Sequence, residues 1–275
     1  MKKKILCLVL SLFFIFGATS CSNKNAAVVN KEDLDIPSFV DNGECYETRA
    51  DMPPDLTDRH QVELYLAAGF NYAPYTEDYT NASEVEQYGE NSKYIKGLKL
   101  CEELGLNLYI RPHSSYTSST VTTMPNYFEQ YFSTIDFTDY PAVKGFFIVD
   151  EPVYGQLVDV ESRYLNWFNN NYGNKGYKFL INLFGCHNIN WKTGYYKDKT
   201  YNDYAEKCLS IIDGANSIDK RFSIDFYLLQ QNGVVPQMNE FDLKVNQDAA
   251  ERAKTHDINF AAYVQVFGGN ADGSC

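Results

Sequence analysis

Residues 142–152 read Ala142-Val143-Lys144-Gly145-Phe146-Phe147-Ile148-Val149-Asp150-Glu151-Pro152. The part up to Val149 is almost continuously apolar, which is typical of a strand buried on both faces of a parallel sheet. Two carboxylates and a proline then end the strand, because proline has no N–H to donate to a neighbouring strand. Proteins built on parallel sheets carry their chemistry at the carboxyl ends of the strands, so Asp150 and Glu151 are candidate functional residues.

The rest of the chain alternates predicted strands and helices. The predicted strands cover 70–75, 106–111, 143–149, 177–184, 222–229 and 258–267, after a first strand within 44–50. The predicted helices cover 58–68, 94–104, 126–135, 158–172, 201–212 and 241–255. This alternation predicts a parallel α/β sheet, either a closed barrel or an open doubly wound sheet. Neither a GxGxxG nor a Walker sequence follows a strand, and polar residues occur at the carboxyl ends of nearly every predicted strand. We therefore predict a (β/α)8 TIM barrel, truncated after its seventh strand; the alternative is that one strand is missing from this count.

The amino-terminal residues have the organisation of an export signal. Lys2-Lys3-Lys4 precedes an apolar run over residues 5–17 that is too short to span a bilayer comfortably. Ala18-Thr19-Ser20-Cys21 follows and resembles a bacterial lipoprotein signal, in which the peptide is cut before an acylated cysteine. We expect a signal over 1–20, a tether over 21–40 and one barrel domain over 41–275. The expected location is a bacterial membrane, at the cell surface or periplasmic face, with Cys21 as the lipid anchor; an ordinary secretory signal is the alternative.

Composition and spacing exclude several classes of function. The net charge is −12 and basic residues are not clustered, which argues against nucleic acid as a partner. The 4 histidines lack HxH or HExxH spacing, and the 7 cysteines include no CxxC pair. We therefore expect neither a metal site nor a cofactor.

The alternation of side chains along a strand gives Gly145, Val149 and Glu151 the same direction. If that direction is the barrel interior, Glu151 lies at the rim and Asp150 points toward a neighbouring strand or the helix layer. A glutamate shielded by aromatic rings is suited to general acid catalysis, because burial favours its protonated form. The alternative is a carboxylate that caps the following helix.

Other predicted strand ends add polar or aromatic side chains to the same rim. These are Tyr75, Glu77, Arg111, His113, Asn182, Asp225, Tyr227 and Gln265. In the segment 222–227, polar residues alternate with phenylalanine and isoleucine, so Asp225 is expected on the inner face. A buried ion pair between Asp225 and Arg111 is the alternative to a catalytic role.

A resemblance to a known family is carried by the segment Gly145-Phe146-Phe147-Ile148-Val149-Asp150-Glu151-Pro152. It resembles the fourth-strand signature of (β/α)8 glycoside hydrolases of the broad clan that contains cellulases and β-galactosidases. Three further segments resemble secreted glycosidases of the barrel type: Ala68-Gly69-Phe70-Asn71-Tyr72, Ser223-Ile224-Asp225-Phe226-Tyr227 and Phe260-Ala261-Ala262-Tyr263-Val264-Gln265. The resemblance implies hydrolysis of an oligo- or polysaccharide, with Glu151 as the acid/base residue.

The chain departs from that family at two positions. Asp150 stands where the family has asparagine, and Gln265 stands where the family has its nucleophilic glutamate. An amide cannot form a glycosyl-enzyme intermediate, so hydrolysis needs a second carboxylate from elsewhere. Asp225 is the first candidate and Glu77 is the second. The third candidate is a carboxylate in a segment beyond this chain. The alternative function is a lipoprotein that binds glycans without cleaving them. Arg111, His113, Asn182, Tyr227 and Gln265 are expected to hold sugar hydroxyls, and Asp150 and Glu77 are also expected to bind the substrate. Tyr75 or another rim aromatic is expected to stack on a sugar ring.

Overall fold

The computed structural model of the chain describes residues 40–41, 44–45, 54–77, 79–112, 135–185, 192, 194–226, 229–231, 236–238 and 240–264. Its strands are β1 Val40–Asp41, β2 Glu44–Cys45, β3 Tyr72–Glu77, β4 Asn107–Pro112, β5 Val143–Asp150, β6 Lys178–Leu183, β7 Lys220–Phe226, β8 Leu229–Gln231, β9 Pro236–Met238 and β10 Asn259–Val264. Its helices are α1 Arg59–Ala67, α2 Tyr79–Tyr88, α3 Lys93–Leu104, α4 Tyr154–Asp159, α5 Leu165–Asn171, α6 Tyr201–Asp213 and α7 Glu240–Thr255. A π-helical turn, Val160–Tyr164, joins α4 to α5.

Six parallel strands form the main sheet, in the order β10-β7-β6-β5-β4-β3. Each strand therefore lies beside the next long strand of the sequence. Right-handed connections in such an order bring all the helices to one face, whereas a doubly wound sheet reverses direction and covers both faces. The predicted α/β class with a parallel sheet is confirmed, and the described strands are consistent with part of an α/β barrel.

The two faces of the sheet have different partners. Phe146, Phe179 and Phe222 point to the helices and share one large core with residues of α1, α3, α4, α5, α6 and α7. Tyr72, Tyr109, Phe147 and Leu180 form a separate small cluster. Because the residues of this cluster alternate with the helix-facing ones along their strands, they lie on the opposite face, which we call the inner face.

A charged network lies at the amino ends of the strands, beside the inner cluster. The Lys178 ammonium donates to the Tyr72 hydroxyl at 3.0 Å and pairs with the Asp219 carboxylate at 3.3 Å. The Arg221 guanidinium also donates to Asp219, at 2.7 Å. Burial acts to raise the pKa of Asp219, but the hydrogen bonds and charge of Arg221, together with the Asn259 amide and the Lys178 charge, outweigh burial, so the pKa is lower than usual. Three partnered charges at this end of the sheet support the fold rather than chemistry.

Local signals in the sequence begin α1 and end α3 close to the predicted helix bounds. The Asp58 carboxylate caps α1 by accepting hydrogen bonds from the backbone N–H groups of His60 and Gln61. Gly105 ends α3 with a φ of 78°, a left-handed conformation that favours glycine because it has no Cβ. These contacts lie within a few residues along the chain, which is why the sequence predicts them.

Five elements differ from the predictions. Helix α2 was not predicted, because its sequence offers few apolar residues at helical spacing. Strands β8 and β9, which pair antiparallel, were also not predicted. The helix predicted over 158–172 begins earlier, with α4. In the predicted first strand, Glu44–Cys45 pairs antiparallel with Val40–Asp41, and residues 46–50 lie outside the described residues. Most of the helix predicted over 126–135 also lies outside them.

Candidate functional site

A β-bulge in β5 decides which residues at its end reach the inner face. Phe147 pairs with Leu180 of β6, but Val149 pairs with Ile181, so Ile148 is an extra residue in β5. Ile148 and Val149 both pack in the helix-side core. The predicted common direction of Gly145, Val149 and Glu151 is therefore wrong, because the extra residue shifts the alternation by one. Asp150, opposite Asn182, is the residue that turns to the inner face.

Gly145 lies on the inner face at a point where strands and side chains crowd together. A Cβ atom at this position would come within 2.6 Å of the Lys178 carbonyl oxygen and 3.0 Å of a Tyr109 ring carbon. Only glycine fits this approach, which lets Tyr109 and Phe147 fill the inner cluster below the site.

The Asp150 carboxylate is the hub of a polar network that joins four strands. Arg111 of β4 donates from Nη2 to Asp150 Oδ2 at 2.6 Å, and Asn182 of β6 donates from Nδ2 to Oδ1 at 2.8 Å. Ser223 of β7 donates from Oγ to Asn182 Oδ1 at 2.8 Å. Arg111, Asn182 and Ser223 are all buried. Because each member holds the next, the network fixes the side chains at these strand ends.

The Arg111 guanidinium also lies over the Phe147 ring, 5.0 Å from the ring centroid. This contact joins the charged network to the apolar inner cluster beneath it. The site is therefore layered, with the aromatic cluster in the middle of the inner face and the Asp150 network above it at the carboxyl ends.

Glu151, the next residue, has an unusual backbone. Its φ is 46°, and its N–H donates to the Asn182 carbonyl oxygen at 2.9 Å. The other non-glycine residues with positive φ in the described ranges are Asn174 and Asp257, which are of types that adopt this conformation readily. Glutamate does not, and residues strained in this way cluster at active sites and ligand-binding sites. The Glu151 side chain is half-buried.

The turn after Glu151 is held from the helix side. The buried Tyr204 hydroxyl of α6 donates to the Pro152 carbonyl oxygen, and the Val153 N–H donates to Gln156 Oε1 at 2.8 Å. Burial raises the pKa of Tyr204 well above its usual value, and the Glu151 charge adds to this effect. The phenol therefore stays protonated and remains a donor.

We expect the strained backbone at Glu151 to reverse the usual order of alanine and glycine. Glu151→Gly should have a free energy of unfolding about 1 kcal/mol higher than Glu151→Ala, because glycine adopts positive φ without strain. Urea denaturation of both variants measures the difference. The same pair of substitutions at Glu102, an exposed residue within α3, is the control and should favour alanine by about 1 kcal/mol. Equal stability of the two variants at Glu151 would contradict a strained residue.

The structure places the other predicted site residues as follows. Arg111 and Asn182 lie in the network, where they bind Asp150. Asp225 belongs to β7, in register with Tyr263 of β10, and Glu77 ends β3; the side chains of Asp225 and Glu77 are outside the described part of the chain. His113, Tyr227, Gln265 and Cys21 also lie outside it.

Tyr75 requires a correction. Its ring stacks on the Tyr94 ring of α3 at 4.4 Å, and its hydroxyl donates to the Tyr94 carbonyl oxygen at 3.0 Å. Tyr75 thus faces the helices and not the inner face. It lies three positions after the inward Tyr72 in β3, and side chains an odd number of positions apart in a strand point to opposite faces. It is not available to stack on a sugar at the inner rim.

Two residues of the site were missed by sequence reasoning. Tyr204 lies on the apolar side of α6, where its sequence signal is that of a core residue. Gln156 carries a weak signal, since a glutamine in the first turn of a helix can complete a capping box. Neither signal indicates that the residue holds the turn after Glu151, because that contact depends on packing.

Among the described residues, no group of three or more His, Cys, Asp or Glu side chains lies close enough together to hold a metal ion. Within the same residues, no helix combines the length and apolar character needed to cross a membrane.

Comparison with known proteins returned no matching family model, no matching curated protein and no matching solved structure.

Proposed function

We propose that this chain is a glycoside hydrolase built on a (β/α)8 barrel, with Glu151 as the general acid. One observation carries the proposal: Glu151 has a left-handed backbone directly beside a buried Arg111–Asp150–Asn182 network at the carboxyl ends of parallel strands. The sequential order of six parallel strands supports the barrel. The resemblance of residues 145–152 to glycoside hydrolases supports the class of reaction.

The two adjacent carboxylates have different roles in this proposal. Both Asp150 oxygens accept hydrogen bonds, from Arg111 and Asn182, so Asp150 acts as a positioning residue that holds the strand end. Glu151 follows it in a half-buried position and is the residue assigned to proton transfer.

The proposed reaction balances with two carboxyl groups and one water. Glu151 donates a proton to the glycosidic oxygen as the bond to the anomeric carbon breaks. Asp225 is the proposed second carboxylate. As a nucleophile it attacks the anomeric carbon, and water then breaks the bond between Asp225 and that carbon while Glu151 takes the proton of the water. As a base, Asp225 instead takes a proton from the water that attacks the anomeric carbon directly. His113, Tyr227 and Gln265 are proposed to contact sugar hydroxyls, and Glu77 remains the second candidate for the Asp225 role.

The test of this function is product analysis. The full chain, purified after export, is incubated with mixed-linkage β-glucan, xylan, galactomannan and pectic galactan, and released oligosaccharides are separated and weighed by mass spectrometry. We expect products from at least one polysaccharide with the wild-type protein and far less product with Glu151→Gln. Products formed equally by both proteins would reject Glu151 as the acid.

A second candidate function is glycan binding without cleavage, which the amide of Gln265 favours because it cannot act as a nucleophile. Retention of the wild-type protein in gels containing a polysaccharide, without any products after long incubation, would support this function. Hydrolysis of any of these polysaccharides would exclude it.

We also propose that the protein is exported and anchored through an acylated Cys21. Cells expressing the full chain and fed radiolabelled palmitate should label the wild-type protein and leave Cys21→Ser unlabelled, because acylation requires the cysteine sulfur. Cys7→Ser is the matched control and should label normally, since Cys7 lies within the removed signal. Equal labelling of Cys21→Ser and wild type would contradict the anchor.

A further inference from the structure

Tyr195 is the most exposed large hydrophobic side chain in the described part of the chain. It is 100% exposed, compared with 53% for Tyr88 on α2. It lies in a 3-10 turn, Gly194–Tyr196, in the connection between β6 and α6. A connection that follows β6 starts at the carboxyl end of the sheet, which is the end that carries Asp150 and Glu151.

The turn that carries Tyr195 is anchored on the residues that follow Glu151. The Tyr196 ring stacks on the Tyr154 ring at 4.8 Å, with 27° between their planes. The Lys199 N–H donates to the Tyr196 carbonyl oxygen at 3.1 Å, and the Lys199 ammonium lies 5.8 Å from the Tyr154 ring centroid. These contacts hold the backbone of the turn while the Tyr195 ring remains fully exposed to solvent.

Tyr154 places this turn close to the candidate site. It is the first residue of α4 and follows Glu151 by three positions, which an extended chain spans in about 10 Å. Tyr196 contacts Tyr154 directly, and Tyr195 is its neighbour in sequence. The Tyr195 ring is therefore within reach of a chain-like ligand whose reacting bond lies at Glu151.

We propose that the Tyr195 ring is a binding platform for a pyranose ring of the polysaccharide, at a position remote from the bond that is cleaved. This inference rests on the proposed function. A sugar ring has one face of C–H groups that covers an aromatic ring, while its hydroxyl groups remain in water, so the ligand chemistry matches an exposed tyrosine. The anchored turn also reduces the conformational entropy lost on binding.

The experiment measures binding in the absence of turnover. Full-chain Glu151→Gln, alone and combined with Tyr195→Ala or Tyr195→Phe, is run in native gels containing mixed-linkage β-glucan, xylan, galactomannan or pectic galactan, and dissociation constants are taken from the retardation. Tyr195→Ala should weaken binding to the retarding polysaccharide about tenfold, and Tyr195→Phe should retain affinity because it keeps the ring. Tyr88→Ala, which removes an exposed tyrosine from α2, should bind as the parent does.

Each other outcome overturns the inference and separates its failure from that of the proposed function. Unchanged affinity in Tyr195→Ala, or equal weakening in Tyr88→Ala, overturns the platform while wild-type hydrolysis leaves the enzyme assignment intact. If no polysaccharide retards the parent and wild type releases no products, both the platform and the proposed function are overturned.

Discussion

Glu151→Gln should lower kcat/KM for polysaccharide hydrolysis by about 10²–10⁴-fold and leave the dissociation constant of the substrate nearly unchanged. A positioned general acid contributes this range, because the departing oxygen otherwise leaves as an unprotonated alkoxide. The amide has the shape of the carboxyl group, so it preserves contacts that hold the substrate, but it has no acidic proton. Steady-state kinetics and equilibrium binding on the same polysaccharide measure the two quantities.

The leaving group provides a sharper test of the role of Glu151. A substrate whose leaving group is an acidic phenol needs little protonation, so Glu151→Gln should slow its cleavage far less than that of the natural glycosidic bond. Glu102→Gln, on the exposed side of α3, is the matched control and should behave as wild type. An equal loss on both substrates would contradict the general acid role and indicate a structural one.

Removal of the Asp150 carboxylate should cause the largest loss of stability of any single change at this site. Asp150→Ala should lower the free energy of unfolding by about 3–5 kcal/mol, because it leaves the Arg111 guanidinium, whose side chain is 11% exposed, without this counter-charge. It also removes an acceptor from the buried Asn182 amide. Chemical denaturation followed by circular dichroism measures the loss.

Two controls separate the charge from general effects of substitution. Asp139→Ala changes an exposed aspartate in a surface turn and should alter stability by less than about 0.5 kcal/mol. Arg111→Met combined with Asp150→Leu should recover part of the loss, because it removes both charges together. If Asp150→Ala unfolds at the wild-type denaturant concentration, the network does not support the strand ends as described.

Much of the sheet could be predicted from the sequence because its signals are local. The apolar run that ends at Asp150-Glu151-Pro152 marks β5, and the alternation of polar and apolar residues in β7 is confirmed, with Phe222 and Ile224 on the helix side and Ser223 on the inner face. Helix α2 lacks such a local signal and was therefore not predicted. Its sequence has no apolar stripe at helical spacing, although Val85 packs against the core.

The direction of side chains at the site could not be predicted, because one residue inverts it. Strict alternation along β5 puts Glu151 on the inner face and Asp150 elsewhere, whereas the bulge at Ile148 gives the inner position to Asp150. A bulge is a property of the pairing between two strands, and nothing within either strand's sequence specifies it.

The strands of the main sheet, the ends of α1 and α3 and the carboxylates at the end of β5 thus follow from the sequence, since each depends on residues a few positions apart. Tertiary structure alone determined that Asp150 joins Arg111 and Asn182, that Tyr75 faces Tyr94, and that Tyr204 holds the turn beside Glu151. These contacts join residues from 19 to 52 positions apart, so they exist only after the strands have paired and the helices have packed on them.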